Sequence, residues 1–139
     1  MDKRVVPNEV LLEEAGRFLE EGREVAFTPL GNSMLPFIRG GKDSVRLKKM
    51  PAVEVGDMVL VRLPGRYVLH RVRSVDGERL TLMGDGNLVG TESCTKADVM
   101  GTVVAIQKGE RTVIPGKGRF WCSLGPFRRV FLAIYRRLI

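Results

Sequence analysis

Along most of the chain, apolar and polar positions alternate with the two-residue period of β-structure, and only the two ends carry the longer period of a helix. Near the N-terminus, Val10, Leu11, Ala15, Phe18 and Leu19 form one apolar stripe, while Glu13, Arg17 and Glu20 fall outside it. That spacing predicts a helix over 8–21. Asn8 suits its cap, Glu9 the positive end of its dipole, and Gly22 its end. Strands are expected at 24–28, 43–47, 57–63, 66–75, 78–83 and 99–107. "LPGR" and "VDGE" are turn signals between apolar runs, and Asp76-Gly77 suits a two-residue turn with positive φ. The block 57–83 therefore reads as a three-stranded antiparallel meander. The last element, roughly 126–139, begins at Pro126 and reads as a second helix. Phe127, Val130, Phe131, Ile134 and Leu138 share one side of it, and Arg128, Arg129, Arg136 and Arg137 fall mostly elsewhere. The pattern as a whole predicts a mainly β domain with a short helix at each end.

Composition narrows the class. A chain of 139 residues fits one domain and can bury a core. With 44% hydrophobic and 28% charged residues it is not a disordered sequence. No run approaches the roughly 20 apolar residues of a bilayer span, and acids interrupt the N-terminal apolar run, so no signal peptide is expected. A cytoplasmic protein is the expectation, either free or peripheral on the inner face of the membrane. Cys94 and Cys122 have neither metal-type spacing nor a disulfide framework, and read as reduced thiols. The scattered methionines read as packing, and "GDGN" lacks the ligand spacing of a calcium loop. No metal or organic cofactor is expected.

The net charge of +7 is unevenly placed. Residues 1–110 hold 16 basic and 16 acidic side chains, whereas 111–139 hold seven basic and no acidic ones. The division expected is a domain over 1–110 and a basic amphipathic tail over 111–139. Such a tail asks for an anionic partner, either membrane or nucleic acid. Trp121, Phe127, Arg128, Arg129, Phe131, Arg136 and Arg137 are the candidates to face an anionic membrane. The competing expectation is a helix that docks on the domain with its arginines in water.

Three polar residues stand out for chemistry. Ser33 lies in "GNSMLPFIRGG", between turn-forming residues and a proline, an unsuitable address for a core serine. His70, the single histidine, sits in "YVLHRVRSV", where alternation puts Val68, His70 and Val72 on one face and Tyr67, Leu69, Arg71 and Arg73 on the other. It reads either as a satisfied core histidine or as a base at a cleft edge. Asp85 lies in "GDGN", directly after the strand that hairpins back from His70; it reads either as a turn residue or as a partner of the imidazole. Together they supply what serine hydrolysis needs: a hydroxyl, a base near neutral pKa, a carboxylate that fixes the ring, and N–H groups for the oxyanion.

The order Ser33, His70, Asp85 with its flanks resembles the signal peptidase I family and its relatives, the self-cleaving SOS-type repressors. "NSMLP" is similar to that family's Ser-Met-x-Pro nucleophile box, and "IRGGKDSV" to its Arg-Gly-Asp segment, with an extra Gly-Lys before Asp43. "VEVGDMVLVRL" is similar to its Gly-Asp-Ile-Val strand, and "VLHRVRSV" followed by "TLMGDGN" to its His-Arg-Val and Gly-Asp-Asn-Asn boxes. The match covers residues 30–104. The resemblance implies a small, irregular, partly closed β domain and the histidine-base branch found in archaea and the endoplasmic reticulum. It implies Ser33 as nucleophile, His70 as general base and Asp85 as the third member.

Two departures bear on the site. The further aspartates that follow the last box in that branch are replaced by Gly90 and Thr91, and the nearest acid is Glu92, the alternative third member. The serine often found two before the nucleophile is Gly31, which leaves backbone N–H groups or Asn32 for the oxyanion; Gly31, Asn32 and Met34 are the oxyanion and substrate-binding candidates. A third departure concerns the membrane: a short amphipathic helix stands where those peptidases carry an anchor. No helix-turn-helix of the repressor kind precedes the domain, so nucleic acid is not expected as a partner.

The function expected is a serine endopeptidase that cleaves a peptide or protein precursor bound as an extended strand, with small residues before the cut. The alternatives are a non-catalytic peptide- or partner-binding module on the same fold, and a self-cleaving regulator. Ala15-Gly16 suits self-cleavage chemically but falls inside a predicted helix.

Overall fold

The computed structural model describes residues 3–5, 9–87, 90–118, 121–122, 124 and 127–138. The expected cap at Asn8 and helix start at Pro126 lie outside the described residues, as do the side chains of Val10, Leu11, Arg136 and Leu138. The elements in chain order are β1 (Lys3–Val5), α1 (Glu9–Glu20), β2 (Val25–Thr28), β3 (Ser44–Lys48), β4 (Met58–Leu63), β5 (Arg66–Asp76), β6 (Arg79–Met83), β7 (Glu92–Thr95), β8 (Val99–Lys108), β9 (Arg111–Val113) and α2 (Arg128–Leu138). A single 3₁₀ turn, Lys96–Asp98, links β7 to β8.

The strands form one sheet in the order β1-β2-β3-β8-β4-β5-β6-β7, with β9 paired to β8 off that path. All pairs are antiparallel except β1 with β2. The expectation of a mainly β domain with a helix near each end holds. The expectation of a partly closed sheet does not: β1 and β7 end the strand path and do not pair with each other.

The meander 57–83 folds as read. Gly65 and Gly77 adopt positive φ in its two turns. The second turn falls on Gly77-Glu78, one residue later than expected, because Asp76 still pairs with Arg79. β4 reads "MVLV" without alternation because both of its faces are covered. Met58 and Leu60 join Phe27, Val45, Leu47, Val103 and Ile106 beneath Leu19 of α1. Val59 and Val61 join Val68, Val72, Leu80 and Leu82 on the other face. A buried methylene is worth about 0.8 kcal/mol, so each of these fully buried side chains contributes roughly 1.5–3 kcal/mol.

The stretch expected as a tail begins as a strand, and the boundary placed after residue 110 falls in the β8–β9 turn. Beyond β9 the chain crosses back over the domain. Lys117 pairs with Glu54 at 3.2 Å and with Asp57, and these carboxylates raise its pKa, the hydrogen bond to Asp57 foremost. The chain then reaches Trp121, which with Leu35 and Leu132 forms a third small core.

Candidate active site

Ser33 sits in a run of turns between β2 and β3. Leu35 N–H donates to Asn32 O (3.2 Å), and Phe37 and Ile38 N–H both donate to Met34 O (3.0 Å). Met34, Leu35 and Ile38 anchor this segment in the core, and Ser33 is left half-buried at its rim. The far end of the segment is pinned by Asp43, fully buried at the start of β3. Its carboxylate accepts from the Arg39 backbone N–H (2.8 Å), the Arg39 guanidinium (2.8 Å) and Lys108 Nζ (2.7 Å). Burial pushes the Asp43 pKa up, but these hydrogen bonds and the Lys108 charge outweigh it and hold the carboxyl below its ordinary value.

The "GDGN" turn packs backbone to backbone on the Ser33 turn. Gly86 N–H donates to Ser33 O at 2.8 Å. A Cβ on Gly86 would lie 2.4 Å from Asn32 O, and one on Gly84 would lie 2.3 Å from Ser33 O and 3.1 Å from His70 Cδ2. Only glycine permits that approach at both positions. Ser33 and His70 therefore flank the same vacant side-chain position, and both line one cleft of about 420 Å³.

His70 is 6% exposed. Its Nδ1 meets Glu92 Oε1 at 2.5 Å. An ionised carboxylate can only accept, so Nδ1 carries the proton and, in the neutral ring, Nε2 is the acceptor. Cδ2, the carbon bonded to Nε2, is the ring atom that faces Gly84. The ring is thus held in the tautomer in which Nε2 can take a proton.

Asp85 does not serve His70. It pairs instead with Arg71, through Nε–Oδ1 at 2.8 Å and Nη2–Oδ2 at 2.7 Å, and both residues are 1% exposed. The reason is the pleat: successive residues of β5 point to opposite faces, so the neighbour of His70 takes the neighbouring carboxylate. Continuing the register Arg71↔Met83 by one residue puts Gly84, without a side chain, opposite His70. Glu92 reaches the ring from β7, whose register is Leu82↔Glu92. Arg71 Nη1 also donates to Gly56 O (2.7 Å) and Gly116 O (2.8 Å), tying the "GDGN" turn to the crossing strap. Arg71 and Arg66, 3.9 Å from Glu92, are site neighbours that the strand pattern did not single out.

The other candidates separate. Gly31, with φ +83°, lines the cleft. Asn32 is exposed, and its carbonyl caps the turn. Met34 is buried beneath Ser33, and its sulfur accepts from Asp85 N–H at 3.4 Å. Among the described residues the N–H groups of Ser33 and Met34 donate to no backbone carbonyl. Trp121 and Arg128, expected at a membrane face, are buried at 7% and 5%. The Trp121 indole N–H donates to Asp85 O (2.9 Å) and its ring meets Phe37 edge-on, so its polar handle is used inside. Arg128 packs on Met83 along the inner side of α2. Phe127, Arg129, Phe131 and Arg137 are exposed. The Ala15–Gly16 bond lies within α1, as expected. Cys94 and Cys122 are free thiols, and burial raises the Cys94 pKa, with Asp98 and Glu92 adding to it.

Opposite Ser33, the cleft wall is strand β5. Arg66–His70 pair with β4 along one edge, while β6 pairs only from Arg71 onward, so that five-residue stretch presents its other edge to the cleft. Pro29, Leu30 and Gly31 form the facing wall. Among the described residues no group of His, Cys, Asp and Glu is arranged to hold a metal ion, and no helix is long and apolar enough to cross a membrane. No protein-family model matches the chain, and no curated protein sequence matches it.

Proposed function

We propose that the chain is a serine endopeptidase of the signal-peptidase kind, with Ser33 as nucleophile, His70 as general base and Glu92 as the carboxylate that orients it. The observation that carries this reading is the cleft lined by both Ser33 and His70, in which the histidine is held through Nδ1 by Glu92. His70 Nε2 takes the Ser33 hydroxyl proton as Oγ attacks the scissile carbonyl, and returns it to the leaving amine. Water then enters, and the same base activates it to release the acyl group. The Ser33 and Met34 N–H groups are the candidates for the oxyanion. Glu92 replaces Asp85 in the role the family resemblance assigned to the aspartate.

The substrate is a peptide in extended conformation. Edge addition to Arg66–His70 supplies main-chain hydrogen bonds, and alternate side chains then point into the cleft. The wall of Pro29–Gly31 lies across from that edge, and small residues before the cut suit an approach between two backbones. The test is cleavage profiling by mass spectrometry with a broad peptide library. Cuts made by the wild type and lost in both Ser33→Ala and His70→Ala support the proposal. Cuts that persist in both variants, or wild-type protein that binds library peptides and releases them all intact, overturn it.

A further inference from the structure

We propose that α2 is a lipid-docking helix that lays its outward stripe on an anionic membrane surface. A helix on a globular domain ordinarily turns its more apolar side inward. Here the arrangement is reversed. Arg128, Leu132 and Tyr135 face the domain, Leu132 packs on Leu35 and Trp121, and Phe131, half exposed, keeps one edge against Trp121 (6.4 Å between ring centroids). Phe127, Val130, Phe131 and Ile134, spaced i, i+3, i+4, i+7, are 66%, 56%, 50% and 54% exposed. Four large apolar side chains in one exposed row exceed the scattered single exposures of an ordinary surface.

Charge selects the occupant. The stretch 111–139 has seven basic and no acidic side chains; on α2 Arg137 is exposed on the flank of the stripe, and Arg129 is exposed further round the helix. An anionic bilayer offers an acyl boundary to the stripe and phosphates to the arginines along one helix. A second copy would bring two such cationic stretches together with no acid to pair them. Nucleic acid would engage the arginines but gains nothing from stacking on Val130 and Ile134. The inner side of α2 rests on Leu35, two residues after Ser33, so a docked helix holds the cleft at the lipid surface. Lipid binding itself does not rest on the catalytic proposal.

The test is flotation of the full chain with vesicles of phosphatidylcholine alone or mixed with phosphatidylglycerol. Binding to the anionic vesicles, weakened by salt, is expected for the wild type and equally for Ser33→Ala. The pair Arg129→Gln/Arg137→Gln should weaken it about 30-fold. Phe131→Ser/Ile134→Ser, at exposed positions and checked for folding by circular dichroism, should weaken it at least about 10-fold. The proposal is overturned by wild-type protein that ignores anionic vesicles at low salt, or by binding that the Phe131/Ile134 pair leaves unchanged. It is also overturned by a dimer that the same pair dissolves without lipid being involved, or by tighter binding to an oligonucleotide that survives that pair.

Discussion

Replacing Asp85 by alanine separates the two roles open to it. The Arg71 guanidinium is 1% exposed and makes three hydrogen bonds of 2.7–3.0 Å to the Asp85 carboxylate. Removing that carboxylate leaves a buried cation whose remaining partners among the described residues are the carbonyls of Gly56 and Gly116 and the Phe37 ring, 5.2 Å from the guanidinium carbon. Breaking a buried pair from one side costs about 3–5 kcal/mol. For a chain of this length that is a fall in Tm on the order of 10–20 °C. The double variant Arg71→Met/Asp85→Ala removes the stranded charge, and its remaining loss is the donor to the buried Gly56 carbonyl, about 1–3 kcal/mol. The double variant is therefore expected to be more stable than Asp85→Ala alone, with a coupling of at least about 1 kcal/mol. Urea unfolding followed by far-ultraviolet circular dichroism of wild type, Asp85→Ala, Arg71→Met and the double variant closes the cycle that measures this coupling. A stability for Asp85→Ala within about 1 kcal/mol of wild type, together with lost peptidase activity, is what an aspartate serving His70 would give; it would refute the pairing argued above.

Three other changes probe the site and its supports. Glu92→Gln keeps the size of the side chain but no longer fixes Nδ1–H, and should lower the cleavage rate about 10²–10⁴-fold with little change in Tm; a rate near wild type would remove Glu92 from the mechanism. Gly84→Ala places a Cβ 2.3 Å from the Ser33 carbonyl oxygen and should destabilise by about 1–3 kcal/mol; an unchanged melting curve would mean that the two turns are not in contact. Asp43 titrates below its ordinary value of 3.8, so its stabilisation is present above that pH and is lost as the pH falls through its lower folded-state pKa. Asp43→Asn should therefore cost about 1.5–3 kcal/mol at pH 7 and progressively less below about pH 4; a pH-independent difference would contradict this.

The strands at 24–28, 43–47, 57–63, 66–75, 78–83 and 99–107 were legible because a pleated, buried strand imposes its own period on the residues that form it. Each was found within a residue or two of its place. β7 was not legible: "ESCT" buries only Cys94, and it is a strand because it pairs with β6. β1 and β9, three residues each, carry too little pattern to read. Two of the membrane-facing candidates, Trp121 and Arg128, turned inward because a helical period states which residues share a side, not which side meets the domain.

The chain alone determined the local elements, the serine in its glycine-flanked turn and the one histidine in an apolar strand, because each depends on neighbours in sequence. Tertiary structure decided which carboxylate pairs with His70 and which with Arg71. Asp85 is 15 residues from His70 and Glu92 is 22, and sequence distance favoured the first. The pleat of β5 assigned Asp85 to Arg71, and the pairing of an unpatterned edge strand carried Glu92 to the imidazole. Such partnerships depend on strand register and sheet order, which are summed over the whole fold and written at no single position.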